Sequence, residues 1–162
     1  MENTKKRRLV QHKKETKIQK EIVKKVSSGG FIFYLDKATF CVYVLLIKHS
    51  NGEIWIPKGK LESEEAQIDA AFREIKEEVG LGYDQLKYID LCATDSYSYD
   101  LDNKHVLFKE LFINVFSVDS KIIPTSAEWD DKGKKIDSAE WYTYEDALNI
   151  IAFNKIELAK AY

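Results

Sequence analysis

The sequence predicts an α/β fold in which a mixed β-sheet lies between helices. Three observations predict it. The chain has 162 residues, 44% of them hydrophobic, which suits one domain with a full core. Its apolar runs and turn signals follow the order strands, helix, strands, helix. One of these runs, "ATFCVYVLLIK" (38–48), is almost continuously apolar, as expected of a central strand covered on both faces.

"KKETKIQKEIVKK" is charged and reads as a helix or an arm. "VSSGGFIFYL" follows Gly29-Gly30 with aromatic and aliphatic residues and reads as the first firm strand. After the central run, Asn51-Gly52 is a tight-turn signal leading to the short strand "EIWI". "PKGKLES" is then a loop before a helix for which Ser63 is the expected N-cap, with Glu64 and Glu65 at the positive end of the dipole. Ile68, Phe72, Ile75 and Val79 fall at i, i+4, i+7 and i+11, one narrow stripe at about 100° per residue. Gly80 and Gly82 supply the stop. "LKYIDLCAT" and "HVLFKELFINVFS" read as strands, with "DSYSYDLDNK" as a tyrosine-bearing loop between them. "PTSAEWDDKGKK" is a turn-rich insert, "IDSAEWYTY" a last short strand, and "YEDALNIIAFNKIELAKAY" one or two closing helices.

Charge is unevenly spread. Residues 1–30 hold ten Lys/Arg and three Glu, a net of +7, so a total of −2 leaves about −9 on the rest. We divide the chain into a basic arm, 1–25, and a domain, 26–162. A basic arm on an acidic body is compatible with a polyanion partner such as RNA, but a plain solvated N-terminal extension is the preferred reading. "MENTKKRRLVQHKK" has no apolar h-region, and no run approaches the ~20 residues of a membrane span. Cys41 and Cys92 have no metal-ligand spacing and sit in apolar runs, where buried free thiols are expected. The chain reads as cytoplasmic and reduced.

"REIKEEVG" (73–80) carries Glu74, Glu77 and Glu78 within two turns. On a helical wheel they share an arc of about 100°, beside or opposite the apolar stripe. Such like charges repel unless something positive joins them. Either they form a solvated helix face, or they hold a hard divalent cation, which takes oxygen ligands of this kind. Arg73 can offset part of the repulsion.

The wider spacing decides between these readings. Five residues separate Gly59 from Glu65, and seven separate Glu65 from Arg73-Glu74-Ile75; Lys76, Glu77-Glu78, Val79, Gly80 and Leu81 follow. This is Gly-x5-Glu-x7-Arg-Glu-aliphatic-x-Glu-Glu-x-Gly-aliphatic, the Nudix box, without a departure. Seven fixed identities at roughly 5–7% frequency each are not met by chance. The sequence therefore resembles the Nudix hydrolases.

The resemblance implies an α/β/α sandwich over about residues 26–162. It implies hydrolysis of a diphosphate linkage in a nucleotide derivative with Mg²⁺ or Mn²⁺. The carbonyl of Gly59 with Glu74, Glu77 and Glu78 would hold the metal, and Glu74 or Glu77 would orient or deprotonate water. Arg73 belongs to this catalytic box. Glu65 supports it, since an ideal helix would turn it away from the metal face. Metal-assisted attack on a diphosphate agrees with the acid cluster, because bare carboxylates would repel phosphates. A ligand sensor on the same fold would be expected to carry a damaged box, and every carboxylate is present here.

Substrate signals lie outside the box. "WIPKGKLE" (55–62) resembles the W-x-x-P-K-G stretch of diadenosine polyphosphate hydrolases, which would set Lys58 beside phosphate, with Lys60 where that group often has His. "WYTYEDALNIIAF" has Trp141, Glu145, Ala147 and Phe153 at the spacing of asymmetrical diadenosine tetraphosphate hydrolases. By that resemblance Phe153, on the last helix, and Tyr99, in the loop beside Tyr97, would sandwich an adenine. Lys109, or else Lys104, would contact phosphate. "PKGK" also occurs in decapping and oxidised-nucleotide-removing relatives, so an RNA 5′ end, an oxidised nucleoside triphosphate and ADP-ribose stay open as substrates. The segment 117–137 has no counterpart in the resemblance.

Overall fold

The computed structural model describes residues 19–125, 127, 130 and 133–161. Its strands are β1 (Glu21–Asp36), β2 (Cys41–His49), β3 (Ile54–Trp55), β4 (Lys58–Lys60), β5 (Lys87–Asp100), β6 (His105–Val118) and β7 (Ile136–Thr143). Its helices are α1 (Gln67–Val79), α2 (Tyr144–Ile150) and α3 (Lys155–Ala161).

One mixed sheet runs β3-β2-β1-β6-β5, with β4 paired to β1 and β7 to β2. Among the described strands, only β1 and β6 pair in parallel, from Glu21↔His105 to Tyr34↔Val118. Strand alternation sends neighbouring residues to opposite faces. Ile32, Leu45 and Ile47 thus meet Phe72, Ile75 and Val79 of α1 in one core. Phe31, Val44 and Leu46 meet Ala147, Ile151 and Leu158 of α2–α3 in the other. The expected sandwich of helices on both faces of a mixed sheet is the observed one, and the 38–48 run is central because it serves both cores.

Several local expectations are corrected. β1 starts at Glu21, so residues 21–25, assigned to the arm, are sheet residues. "EIVKK" lacks a clean apolar period; its strand conformation comes from the ladder to His105–Lys109, eighty residues away in the chain. The polar "DSYSYD" is not a loop but the end of β5, paired from Asp95↔Leu111 to Asp100↔Val106. An edge strand with exposed faces needs no apolar alternation, so its sequence looks like a loop. α1 begins at Gln67 after Ala66, not at a Ser63 cap. Glu64 has φ 60°, which no helix accommodates. Lys58–Lys60, expected as loop, forms a short strand against Ser27–Gly29.

Phe153 lies between two helices rather than on one, because α2 stops at Ile150 and Asn154 takes φ 63°. Cys41 and Cys92 are free, but Cys41 is exposed and Cys92 only partly covered, Cys41 being the first residue of β2 before it enters the core. Residues 1–18 of the arm lie outside the described residues, as do 126, 128, 129, 131 and 132 of the insert. No helix among the described residues is long and apolar enough to cross a membrane.

Candidate active site

The apolar stripe fixes which way α1 presents its acids. Ile75 and Val79 are fully buried and Phe72 nearly so. Gly80 closes the helix in the left-handed region at φ 81°, its N–H donating to the Lys76 carbonyl. With this face anchored, Glu74 and Glu78 point along the sheet toward β4 and are only 4% exposed. Glu77 faces outward, its side chain 58% exposed.

β4 is shaped to meet these two buried carboxylates. The Lys58 N–H donates to Glu78 Oε2 at 2.9 Å. Gly59 leaves room for Glu74: a Cβ at 59 would fall inside the Glu74 carboxylate group. Gly59→Ala is therefore expected to displace Glu74 or β4. It should lower both Tm and turnover, measured together by thermal unfolding and a hydrolysis assay.

Arg73 joins the acids. Its Nε and Nη2 donate to Glu65 at 2.8 and 2.9 Å, and Nη1 donates to Glu74 at 2.6 Å and Glu77 at 3.3 Å. Nη2 also donates to the Lys60 carbonyl at 2.8 Å, which brings the Lys60 main chain to the box. Hydrogen bonds to Glu65 first, then to Glu74, hold the guanidinium's pKa above its usual value against the opposing effect of burial. The same bonds from Arg73, opposed by burial and aided by the Glu62 N–H, hold the Glu65 carboxyl below its ordinary 4.5.

A depressed carboxyl stabilises the fold above its unfolded pKa and loses that stabilisation as pH falls through its folded value. Glu65→Gln should therefore lower Tm near neutrality, and the gap to the parent should close as the pH drops below 4.5. A gap constant down to acid would show that charge is not what Glu65 contributes. Its supporting role has a geometric basis different from the helical-wheel reading. Glu65 precedes the helix, in a turn closed by its own N–H on the Glu62 carbonyl, and reaches Arg73 from there.

Among the described residues, no three Asp, Glu, His or Cys side chains are gathered tightly enough to hold a metal ion. Arg73 engages Glu74 and Glu77, while β4 engages Glu78. The donor chemistry nevertheless suits a hard cation: carboxylate oxygens on one helix face, two of them buried, against a glycine whose missing side chain keeps the space clear.

Next to this face lies a pocket of about 350 Å³, a size suited to a small ligand. Trp55, Tyr97 and Phe153 give it aromatic walls, with Lys58, Lys109, Asp95 and Glu110 as charged groups. Phe153 packs on Trp55 with ring centroids 4.6 Å apart, and the Lys58 amine lies 4.6 Å from the same indole. The Lys109 amine is 5.8 Å from the Tyr97 ring, its cross-strand partner. Lys58 thus belongs to both places, its amide on Glu78 and its side chain in the pocket.

The structure brings Lys58, Lys109 and Phe153 together and sets Lys104 in the exposed turn after β5. Tyr97, rather than Tyr99, lines the pocket; Tyr99 stands one strand repeat further out, its ring 6.4 Å from that of Tyr97. Trp55 was not among the expected binding residues. Its signal was present as the first letter of the W-x-x-P-K-G stretch, read for its lysine alone.

A family model, the NUDIX domain, matches residues 24–161. The chain belongs to the Nudix family. Its carboxylate face is the Nudix box, complete from Gly59 to Leu81. A curated Nudix relative, the RNA pyrophosphohydrolase of Ruthia magnifica subsp. Calyptogena magnifica, is 33% identical over 69 residues, 41% of this chain. The match spans 37% of that relative's length.

Among solved structures, a C. elegans Ap4A hydrolase binary complex superposes with a TM-score of 0.65 at 21% identity, covering 84% of this chain and 93% of the other. The E. coli dihydroneopterin triphosphate pyrophosphohydrolase gives 0.63 at 19% identity, with 82% and 91% covered. The NUDIX domain of Shewanella oneidensis NrtR, complexed with ADP ribose, gives 0.55 at 16% identity, with 86% of each chain covered. At such identities the likeness is one of fold. The Nudix sandwich explains why α1 and β4 meet: the box lies across that contact.

Proposed function

We propose that this Nudix chain hydrolyses a phosphoanhydride bond of a nucleotide derivative, with a dinucleoside polyphosphate such as diadenosine tetraphosphate as the preferred class. One observation carries the reading. An aromatic pocket sized for a nucleobase opens beside the box carboxylates, and Lys58 joins the two. The base would lie against Trp55, Tyr97 and Phe153, and the phosphates would run past Lys58 and Lys109 toward α1.

Gly59, Glu74, Glu77 and Glu78 would hold Mg²⁺ or Mn²⁺. When bound, the cation stabilises negative charge on the phosphate oxygens. Glu77, the exposed carboxylate of the set, accepts a proton from water. The water oxygen forms a bond to phosphorus as the bridging P–O bond breaks, and the leaving phosphate takes the electron pair. Glu74, fixed by Arg73, is positioned to orient the water. Lys58 and Lys109 attract the polyphosphate as point charges.

A second reading, hydrolysis at an RNA 5′ end, is favoured by the partial match to an RNA pyrophosphohydrolase and by the net +7 of residues 1–30. A panel of diadenosine tetraphosphate, ADP-ribose, oxidised dGTP and 5′-triphosphate RNA, compared by kcat/KM with Mg²⁺ and with Mn²⁺, separates the readings. The dinucleotide should lead. If RNA leads, and deleting residues 1–18 removes its advantage, the second reading replaces the first. No turnover of any member would leave a binding domain without hydrolysis.

Stacking on one aromatic contributes about 1–3 kcal/mol, so Tyr97→Ala should raise KM for an adenine substrate about tenfold. Tyr99→Ala, outside the pocket, should raise it far less; the reverse order would mean the base sits elsewhere.

A further inference from the structure

Trp55 stands on a strand of two residues, paired to β2 only at Ile47 and Lys48. Two residues fix the backbone but leave the indole's rotamer to whatever packs on it. Several of its contacts come from groups that do not line the pocket. Glu53 accepts the indole Nε1–H at 3.0 Å. The His49 ring meets the indole edge-on, with centroids 5.7 Å apart at 73°. The Lys134 amine lies 5.0 Å from the indole centroid and 3.9 Å from the Glu53 carboxylate.

These groups are tied to the insert. His49, 4% exposed at the end of β2, has its Nε2 3.1 Å from Asp130 Oδ2. Its buried Nδ1 has no hydrogen-bond partner among the described residues, so the ring is held through Nε2 by Asp130. Asp130 is hydrogen-bonded to Gly133 and Lys134. Its N–H donates to the Lys134 carbonyl at 2.9 Å, and its carbonyl accepts from Gly133 at 3.0 Å. Its Oδ1 accepts the Lys134 N–H at 2.7 Å. One aspartate therefore holds the main chain that carries Lys134 and the imidazole that meets the indole, and the Ser50 N–H donates to the Lys135 carbonyl at 3.0 Å.

We infer that the Asp130–His49 pair and Lys134 position Trp55, so that the insert sets affinity for the nucleobase without touching the reacting phosphate. This rests on the proposed reading of the pocket as the base site. Asp130 and Lys134 are positioning residues, since neither lines the pocket.

The test uses the full chain, with ADP as ligand and diadenosine tetraphosphate as substrate. The Trp55 indole N–H resonance, assigned by its loss in Trp55→Phe, reports the ring. Asp130→Asn should shift that resonance, weaken ADP about fivefold and raise KM in proportion, with kcat within about twofold, the size of one net hydrogen bond. Lys134→Met, at a surface position, should act in the same direction and decides the matter if Asp130→Asn fails to fold. Unchanged ADP affinity and resonance in Lys134→Met and a folded Asp130→Asn would overturn the positioning role, as would a loss confined to kcat. Trp55→Ala tests the pocket separately: if it leaves ADP affinity intact, the base-site reading fails, whatever the other variants do.

Discussion

Glu77→Gln is expected to lower kcat about a hundredfold or more, the usual scale for losing a general base, while Tm moves by no more than about 1 °C. The asymmetry follows from where the side chain lies. The Glu77 side chain is 58% exposed, and its ion pair among the described residues is at 3.3 Å with Arg73, on the helix surface. Surface pairs of this kind contribute little to stability. In the proposed mechanism its value lies in what reaches it from solvent: water to be deprotonated and the cation that the box implies. Glutamine keeps shape and polarity but neither accepts the proton nor neutralises a cation. The measurement is kcat against diadenosine tetraphosphate with saturating Mg²⁺ and with Mn²⁺, beside a melting curve. Wild-type turnover in the mutant would remove Glu77 from both the base and metal assignments. A large fall in Tm would mean that it serves the fold.

Arg73→Ala should do the opposite, acting first on the fold. The guanidinium carries bonds to Glu65, Glu74 and the Lys60 carbonyl, and two of these partners are carboxylates with side chains 14% and 5% exposed. Removing the cation strands both, and breaking such buried pairs costs about 3 kcal/mol, or roughly 6–12 °C in Tm for a chain of this size. Turnover falls as well, because Glu74 loses the group that orients it. Arg73→Lys should recover only part of the stability, since one ammonium cannot reproduce a planar fork on several acceptors. A Tm unchanged in Arg73→Ala would show that these contacts exchange evenly with water. Read together, the two variants separate a carboxylate kept for chemistry from a cation kept to hold carboxylates in place.

The box was legible because its chemistry is local. Ile75 and Val79 fix one face of α1 by periodicity, and the same periodicity places Glu74, Glu77 and Glu78 on the remainder. Gly59 was legible by its distance from them; only packing shows that its missing Cβ makes space for Glu74. Glu65 shows where a local rule fails. Ideal helical spacing turned it away from the site, whereas the chain leaves helical geometry at Glu64 and brings it back to Arg73. The tyrosines failed in a similar way. "DSYSYD" has the composition of a loop, and only pairing with β6 makes it a strand. Alternation puts Tyr97 and Tyr99 on one face of that strand, and position along it sets Tyr97 in the pocket and Tyr99 beyond it.

By itself, then, the sequence determined the sandwich, the central strand, the carboxylate helix and the family to which it belongs. Each of these rests on periodicity or spacing within a few dozen residues, where backbone geometry is nearly fixed. The tertiary structure alone decided which aromatics share a pocket. Trp55, Tyr97 and Phe153 come from three parts of the chain and meet through β2, β6 and the break before α3. It also decided that Asp130, in an insert without an assigned role, lies against His49. Contacts between segments so far apart depend on how strands and helices pack, and no local spacing encodes them.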